Sequence, residues 1–153
     1  MERNATHNLA EHLLWSNELD ESIQLARRGL ALQQRVGEGA TSLDRLLLAR
    51  VLAARGEVEE LRDVLATFVT DERAGEDEVA GDKTIEVLRA IAAGADLDGW
   101  AKALHGTGDL FLQMRLELWH LAARHGRLSD DLRASARELA RTDPVWARRV
   151  DEF

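Results

Sequence analysis

The sequence predicts an all-α protein, built from antiparallel helical hairpins that stack as a short solenoid. Three observations lead to this prediction. The composition is dominated by Ala, Leu, Arg and Glu, which are strong helix formers, and the chain has a single proline, Pro144. Between small punctuating residues, apolar side chains recur at three- and four-residue spacing, the period of an amphipathic helix. The length of 153 residues fits one domain, so we expect residues 1–153 to form a single helical-repeat domain.

Glycines and capping residues mark the predicted helix ends. Gly37 and Gly56 follow apolar periodic stretches and can adopt the left-handed conformation that ends a helix. Asp143 followed by Pro144 is typical of a helix start, with Asp as the cap and Pro at the first helical position. The acidic segment 71–82 lacks apolar periodicity and is predicted to be an exposed loop. The predicted helices cover residues 6–15, 20–36, 42–55, 57–69, 83–93, 96–104, 109–125 and 129–141, with a short final helix over 144–152.

An internal repeat appears when the chain is aligned on four turn residues. These anchors are Asn17, Gly56, Ala95 and Gly126. Eight residues before them stand Leu9, Leu48, Val87 and Leu118, and four residues before them stand Leu13, Leu52, Ile91 and Ala122. The same residue class at the same offset predicts four hairpins, over residues 4–36, 41–70, 83–105 and 109–141. Residues 143–153 are predicted to cap the last hairpin, with Trp146 as the anchor and Phe153 packed beside it.

The stretch LARVLAARGEV, residues 48–58, carries a family resemblance that extends from about Asn4 to Pro144. It resembles the tetratricopeptide repeat, in which two helices meet at a small residue, and Phe68 lies where that family's second helix keeps a packing residue. The anchors are 39, 39 and 31 residues apart, whereas the family period is about 34, so the repeat is degenerate. The resemblance implies a right-handed stack and a protein- or peptide-binding groove, lined mainly by the first helix of each hairpin.

One strip of polar residues is a candidate for partner binding. Six residues before each anchor stand Glu11, Arg50, Arg89 and His120, and Arg124 follows His120 by one turn. These positions share neither the apolar offsets nor the turn, so we expect them to project from the first helices on one side. The paired arginines would suit the carboxylates of an acidic peptide segment. The alternative is that the strip is ordinary solvated charge.

Composition disfavours several other classes of protein. The formal charge of -8 disfavours nucleic-acid binding, which depends on phosphate neutralisation. The sequence contains no run of about 18 apolar residues, so it predicts no membrane-spanning helix. The chain has no cysteine and a polar N-terminus, which favours a cytoplasmic location. Lys83 and Lys102 are the only lysines among twenty basic residues, a bias typical of GC-rich bacterial genomes.

The preferred functional hypothesis is a protein- or peptide-binding scaffold rather than an enzyme, with no cofactor. A first alternative is a small helical metal protein or enzyme that uses His7, Glu11 and His120. His7 and Glu11 share a helix face, but His12 lies about 140° away from His7, so the segment alone does not supply three ligands. A second alternative is a structural protein that self-associates through the ends of its stack. No catalytic residue and no metal ligand set is assigned.

Overall fold

A computed structural model describes residues 2–36, 42–68, 78–97, 99, 112–125 and 128–153 of the chain. Within these residues the chain forms seven α helices and one 3₁₀ helix, without any strand, so the all-α prediction is confirmed. None of the described helices combines the length and the apolar character needed to cross a membrane. The helices are α1 (Glu2–Trp15), α2 (Leu19–Val36), α3 (Ser42–Arg55), α4 (Val58–Ala66), α5 (Glu78–Ala93), α6 (Leu112–Arg124), α7 (Asp130–Ala140) and the 3₁₀ helix Trp146–Glu152.

The chain divides into two compact units, Met1–Gly81 and Asp82–Phe153. In the first unit, α1 packs on α2 and α3, α2 packs on α3, and α3 packs on α4. In the second unit, α6 packs on α7, and the 3₁₀ helix packs on both. The expectation that residues 1–153 form one domain stays a prediction.

Several predicted boundaries need correction. Helix α1 begins at Glu2 and not at residue 6, and α4 ends at Ala66 and not at residue 69. Residues 78–82 of the predicted acidic loop are helical and open α5, because a single glycine inside a helix costs only about 1 kcal/mol; residues 71–77 lie outside the described residues. Of the predicted helix over 96–104, Asp96 and Leu97 are not helical and nearly all of the remainder lies outside the described residues.

Three helices end in the same hydrogen-bonded turn, with a residue in the left-handed region. These residues are Asn17 (φ 66°), Gly56 (φ 76°) and Gly94 (φ 66°). At Gly56 the backbone N–H of Gly56 donates to the carbonyl of Ala53 (3.1 Å), and the next N–H, of Glu57, donates to the carbonyl of Leu52 (3.0 Å). The same pair of bonds occurs at the other two turns, and together they satisfy carbonyls that the helix end leaves unpaired. The third repeat anchor is therefore Gly94 and not Ala95.

Each unit has one helix that is buried on every side over much of its length. In α3 the residues from Leu46 to Ala54 are all buried, and in α6 the residues from Leu116 to Ala123 are all buried. A helix that is apolar on every side belongs in a core. Each of these stretches nevertheless contains charged or polar side chains, and their partners define the candidate sites.

The turn at Gly56 generates a stability prediction. Gly56→Ala should lower the free energy of unfolding by about 1–2 kcal/mol, because a Cβ disfavours the left-handed conformation. A Cβ built at Gly56 meets no atom within 4 Å, so the cost comes from the backbone alone. Gly29→Ala is the matched control and should raise stability by about 0.5–1 kcal/mol, because Gly29 lies inside α2 with room for a methyl group. Urea unfolding measures both values, and equal signs for the two variants would contradict the assignment of the turn.

Candidate functional site

Two charge pairs join α1 to α3 in the first unit. Nη1 of Arg50 donates to Oε1 of Glu11 over 2.7 Å, and Nδ1 of His7 lies 3.0 Å from Oδ1 of Asp44. The α3 members are buried, with side chains 4% exposed for Arg50 and 5% for Asp44. The α1 members are at the edge, with His7 22% and Glu11 21% exposed. We call these four residues the α1–α3 seam.

The order of the pairs gives the relative direction of the helices. Moving from His7 to Glu11 along α1 corresponds to moving from Asp44 to Arg50 along α3, so the two helices run in the same direction. Ala10 and Ala49 are fully buried, and such small side chains permit close packing of helices.

A second set of ion pairs joins α2 to α4. Arg27 donates through Nη2 to both carboxylate oxygens of Glu60, over 2.9 and 2.7 Å. Nearer the start of both helices, Arg55 bonds Asp20 of α2 and Glu57, the residue before α4. The contacts again advance together along both helices, so α2 and α4 also run in the same direction.

Within the seam, the Glu11–Arg50 pair is electrically balanced. Glu11 compensates the buried guanidinium of Arg50, whose isolation in the core would cost several kcal/mol. Since a carboxylate only accepts hydrogen bonds, Nδ1 of His7 must carry the hydrogen that faces Asp44. In neutral His7 this leaves Nε2 as an acceptor at the partly exposed edge. The cation beside Glu11 opposes binding of a metal ion by that carboxylate, and the described residues contain no group of three or more His, Cys, Asp or Glu side chains arranged to hold a metal.

The structure places the residues of the predicted partner strip in different environments. Glu11 and Arg50 come together, but as partners of each other, and the side chain of Arg50 lies in the core. His120 is also buried, at 4% exposure, in the second unit. Arg89 and Arg124 are exposed. Whether any of these residues binds a partner stays a prediction.

Arg50 is buried and Arg89 is exposed, although both were predicted at the same offset in the repeat. The alignment of the repeat on its turn residues explains this difference. Arg50 lies six residues before the left-handed residue Gly56. Six residues before Gly94 stands Leu88, which is fully buried, so Leu88 and not Arg89 is the local counterpart of Arg50. The apolar offsets had favoured Ala95 as the anchor, and that shift of one residue moved the predicted site to the exposed neighbour.

A second cluster of charged and aromatic residues lies between α6 and the C-terminal segment, residues 143–153, which we call the C-terminal strap. Nε2 of His120 lies 2.7 Å from Oε2 of Glu152, which requires a hydrogen on Nε2. Arg149 binds the same carboxylate through Nε (3.0 Å) and Nη2 (2.6 Å) and lies over the ring of Trp146, 4.7 Å from its centroid. The Nη2 of Arg149 is 3.2 Å from Nε2 of His120, which we interpret as a contact, because that nitrogen already donates to Glu152.

Aromatic packing completes this cluster. The ring centroid of His120 lies 5.4 Å from that of Trp146 and 5.6 Å from that of Phe153, and the two aromatic rings are 5.7 Å apart. Trp146 and Phe153 are both 1% exposed. The prediction that Phe153 packs beside Trp146 is confirmed, whereas the role of residues 143–153 as the cap of a hairpin stack stays a prediction.

The environment of His120 disfavours its charged form. Burial, followed by the positive charge of Arg149, lowers the pKa of His120 to about 4, although Glu152 acts in the opposite direction and Arg124 adds to the lowering. Burial alone would raise the pKa of Glu152, but the hydrogen bond and charge of Arg149, with a smaller effect of His120, lower it below its usual value. The cluster therefore holds a neutral imidazole between a carboxylate and a guanidinium.

Further hydrogen bonds fix both ends of the strap. Oδ1 of Asp143 accepts from the backbone N–H groups of Val145 (2.9 Å) and Trp146 (3.1 Å). The 3₁₀ helix begins at Trp146, with Val145 at its N-cap, so Pro144 is not the first helical residue that the sequence predicted. Oδ2 of Asp143 accepts from Nε2 of Gln113 on α6 over 3.0 Å. At the other end, Nη2 of Arg137 on α7 donates to the backbone oxygen of Phe153 over 2.6 Å.

Comparison with known proteins provides no relative for this arrangement: no family model, no curated protein and no solved structure matches the chain.

Sequence reasoning missed three members of these sites. Asp44 is separated from His7 by 37 residues, and nothing in the local sequence links them. Arg149 and Glu152 are three residues apart on one helical face, a spacing that predicts an ion pair, but their contact with His120 depends on tertiary packing.

The seam yields a second stability prediction. Glu11→Ala should lower the free energy of unfolding by about 2–3 kcal/mol, because it removes the carboxylate that pairs with the buried guanidinium of Arg50. The value is below the 3–5 kcal/mol typical of a fully buried pair because Glu11 is partly exposed. Replacing both residues, as Glu11→Leu with Arg50→Met, should recover most of this loss.

The exposed Arg27–Glu60 pair provides the matched control. Glu60→Ala should cost less than about 1 kcal/mol, because water solvates the remaining arginine. Denaturant unfolding measures all three variants. If Glu11→Ala and Glu60→Ala lose equal stability, the pair does not hold α1 against α3.

Proposed function

We propose that this chain is a protein- or peptide-binding module similar to the tetratricopeptide repeat, with its binding surface on α1 and the exposed start of α3, around Leu43. The observation that carries the proposal is the order of the ion pairs in the first unit. The pairs orient α1 with α3 and α2 with α4, which is the arrangement expected of two successive hairpins stacked in the same orientation. A solenoid continues such a stack, and its first helices line a groove.

Exposed apolar side chains support the choice of surface. Within the described residues, the exposed large hydrophobic side chains are those of Leu9 and Leu43, at 50% and 60%. Leu9 lies on α1 and Leu43 near the start of α3, so both belong to the first helix of a hairpin. Burying two leucines under a partner would contribute roughly 1.5–3 kcal/mol each if the burial were complete.

The ion pair between Arg50 and Glu11 determines what kind of segment can bind to this surface. Arg50 is neutralised by Glu11, so this surface does not offer a free guanidinium to an acidic peptide. We therefore propose that a segment bound here is held by apolar side chains, with His7 as a polar contact at the edge. An acidic preference would depend on Arg89 and Arg124, which are exposed in the second unit.

Site-specific cross-linking tests this proposal. The chain has no cysteine, so a single introduced cysteine can carry a benzophenone label. The label at Ala5→Cys, on the exposed side of α1, should give a cross-linked product with one protein from an extract of the source cells. Adding Leu9→Glu and Leu43→Glu to the labelled chain should reduce the amount of that product at least ~10-fold, equivalent to 1.4 kcal/mol.

Two matched controls make the result specific. A label at exposed Gln24 on α2 should not give the product, and Ala31→Glu on the exposed side of α2 should leave the α1 product unchanged. A product that contains a second copy of this chain would support the self-associating alternative instead. Equal cross-linking from α1 and α2, or no loss with the double leucine variant, would contradict the proposal.

A further inference from the structure

The C-terminal strap is held by tertiary contacts more than by its own helical structure. Its 3₁₀ helix contains a non-helical residue, Arg149, at φ -118° and ψ 16°. A 3₁₀ helix has poorer hydrogen-bond geometry than an α helix and seldom exceeds three or four residues. The buried nitrogen Nε1 of Trp146 also has no hydrogen-bond partner among the described residues, so docking of the strap leaves one polar group unsatisfied.

The docked strap also removes His120 from water. The imidazole is enclosed by Trp146 and Phe153, and its Nε2 contacts Glu152 and Arg149, all of which belong to the strap. If the strap leaves α6, these contacts are lost together. Opening of this one segment therefore changes the solvation, the hydrogen bonding and the charge environment of His120 at the same time.

From this geometry we propose that the C-terminal strap is an acid-sensitive closure, which opens locally from α6 and α7 when His120 takes up a proton. The segment that moves is residues 143–153, and the uncovered surface is the face of α6 that carries Gln113 and His120. The charged groups that face His120 are Arg149 and Glu152 of the strap and Arg124 of α6 itself. On α7, Arg137 binds the backbone oxygen of Phe153 and leaves it when the strap opens.

The direction of the pH effect follows from proton linkage. The pKa of His120 is about 4 when the strap is closed and returns towards its ordinary value of 6.5 when the imidazole reaches water. Opening then takes up a proton between these two values, so closure is fully stabilised above pH 6.5 and weakens as the pH falls towards 4. Glu152, whose pKa is lowered in the closed state, acts in the same direction at lower pH.

Hydrogen exchange of the whole chain, measured by mass spectrometry and corrected for intrinsic rates, tests this closure. The opening equilibrium of the strap amides should rise about 25-fold between pH 7.5 and pH 5, the value for uptake of one proton with these two pKa values. Amides in the middle of α6 should stay more protected than those of the strap, because the opening is local. Equal protection of the strap and α6 at every pH would overturn the proposal, since the strap would then open only when the unit unfolds.

Variants test whether the proton taken up when the strap opens binds to His120. His120→Gln keeps a hydrogen-bond donor towards Glu152 but cannot be charged, so the change over this pH range should fall below about threefold. His125→Gln, at the end of the same helix, is the matched control and should keep the wild-type pH dependence. Phe153→Ala should raise strap opening at all pH values and reduce the pH dependence, because loss of the ring lets water reach His120 in the closed state. If strap opening in His120→Gln keeps the wild-type pH dependence, the role of His120 is overturned. If that variant does not fold, the comparison of amide protection between the strap and α6 in the wild-type chain still decides the proposal.

Discussion

The ion pair between Glu11 and Arg50 is the constraint on which the first unit depends. A guanidinium in the middle of α3 can stay in the core only where a carboxylate reaches it, and Glu11 does so from a single turn of α1. This requirement sets the axial position of α1 against α3, and the His7–Asp44 pair sets it again one turn away. Fully buried alanines such as Ala10 and Ala49 would accept many axial positions, so the charges supply the register that apolar packing alone does not.

The second unit also contains an ionisable side chain inside a core helix, but it stabilises that side chain differently. His120 lies in the buried face of α6, but it is kept neutral, and a carboxylate and a guanidinium from the strap surround it. In the first unit a permanent charge is matched by its opposite, whereas in the second a titratable group avoids its charge. The second solution makes the closed strap depend on pH.

Helix positions were largely predictable because they depend on local signals. Apolar periodicity and glycine punctuation predicted α2 and α3 within a residue or two, and Asp143 before Pro144 predicted the start of the C-terminal helix to within two residues. The site was much less predictable. The offsets that selected Arg50 found a residue of the α1–α3 interface, but spacing along a helix does not show whether a charged side chain faces water or a buried partner. At Gly94, a shift of one residue in the anchor was enough to exchange buried Leu88 for exposed Arg89.

The position of the only proline has a consequence for folding kinetics. Pro144 follows the capping residue Asp143, at the point where the chain leaves α7 for the strap, and the bond before it is trans. In unfolded chains ~10–30% of such bonds are cis, and they return to trans over tens of seconds or longer. The helices before this point contain no proline and contact mainly their neighbours in sequence, a topology associated with microsecond-to-millisecond folding. A newly folded population should therefore contain a minor fraction in which the earlier helices have formed but the bond between Asp143 and Pro144 is still cis. In these molecules the strap can dock only after that bond has isomerised to trans.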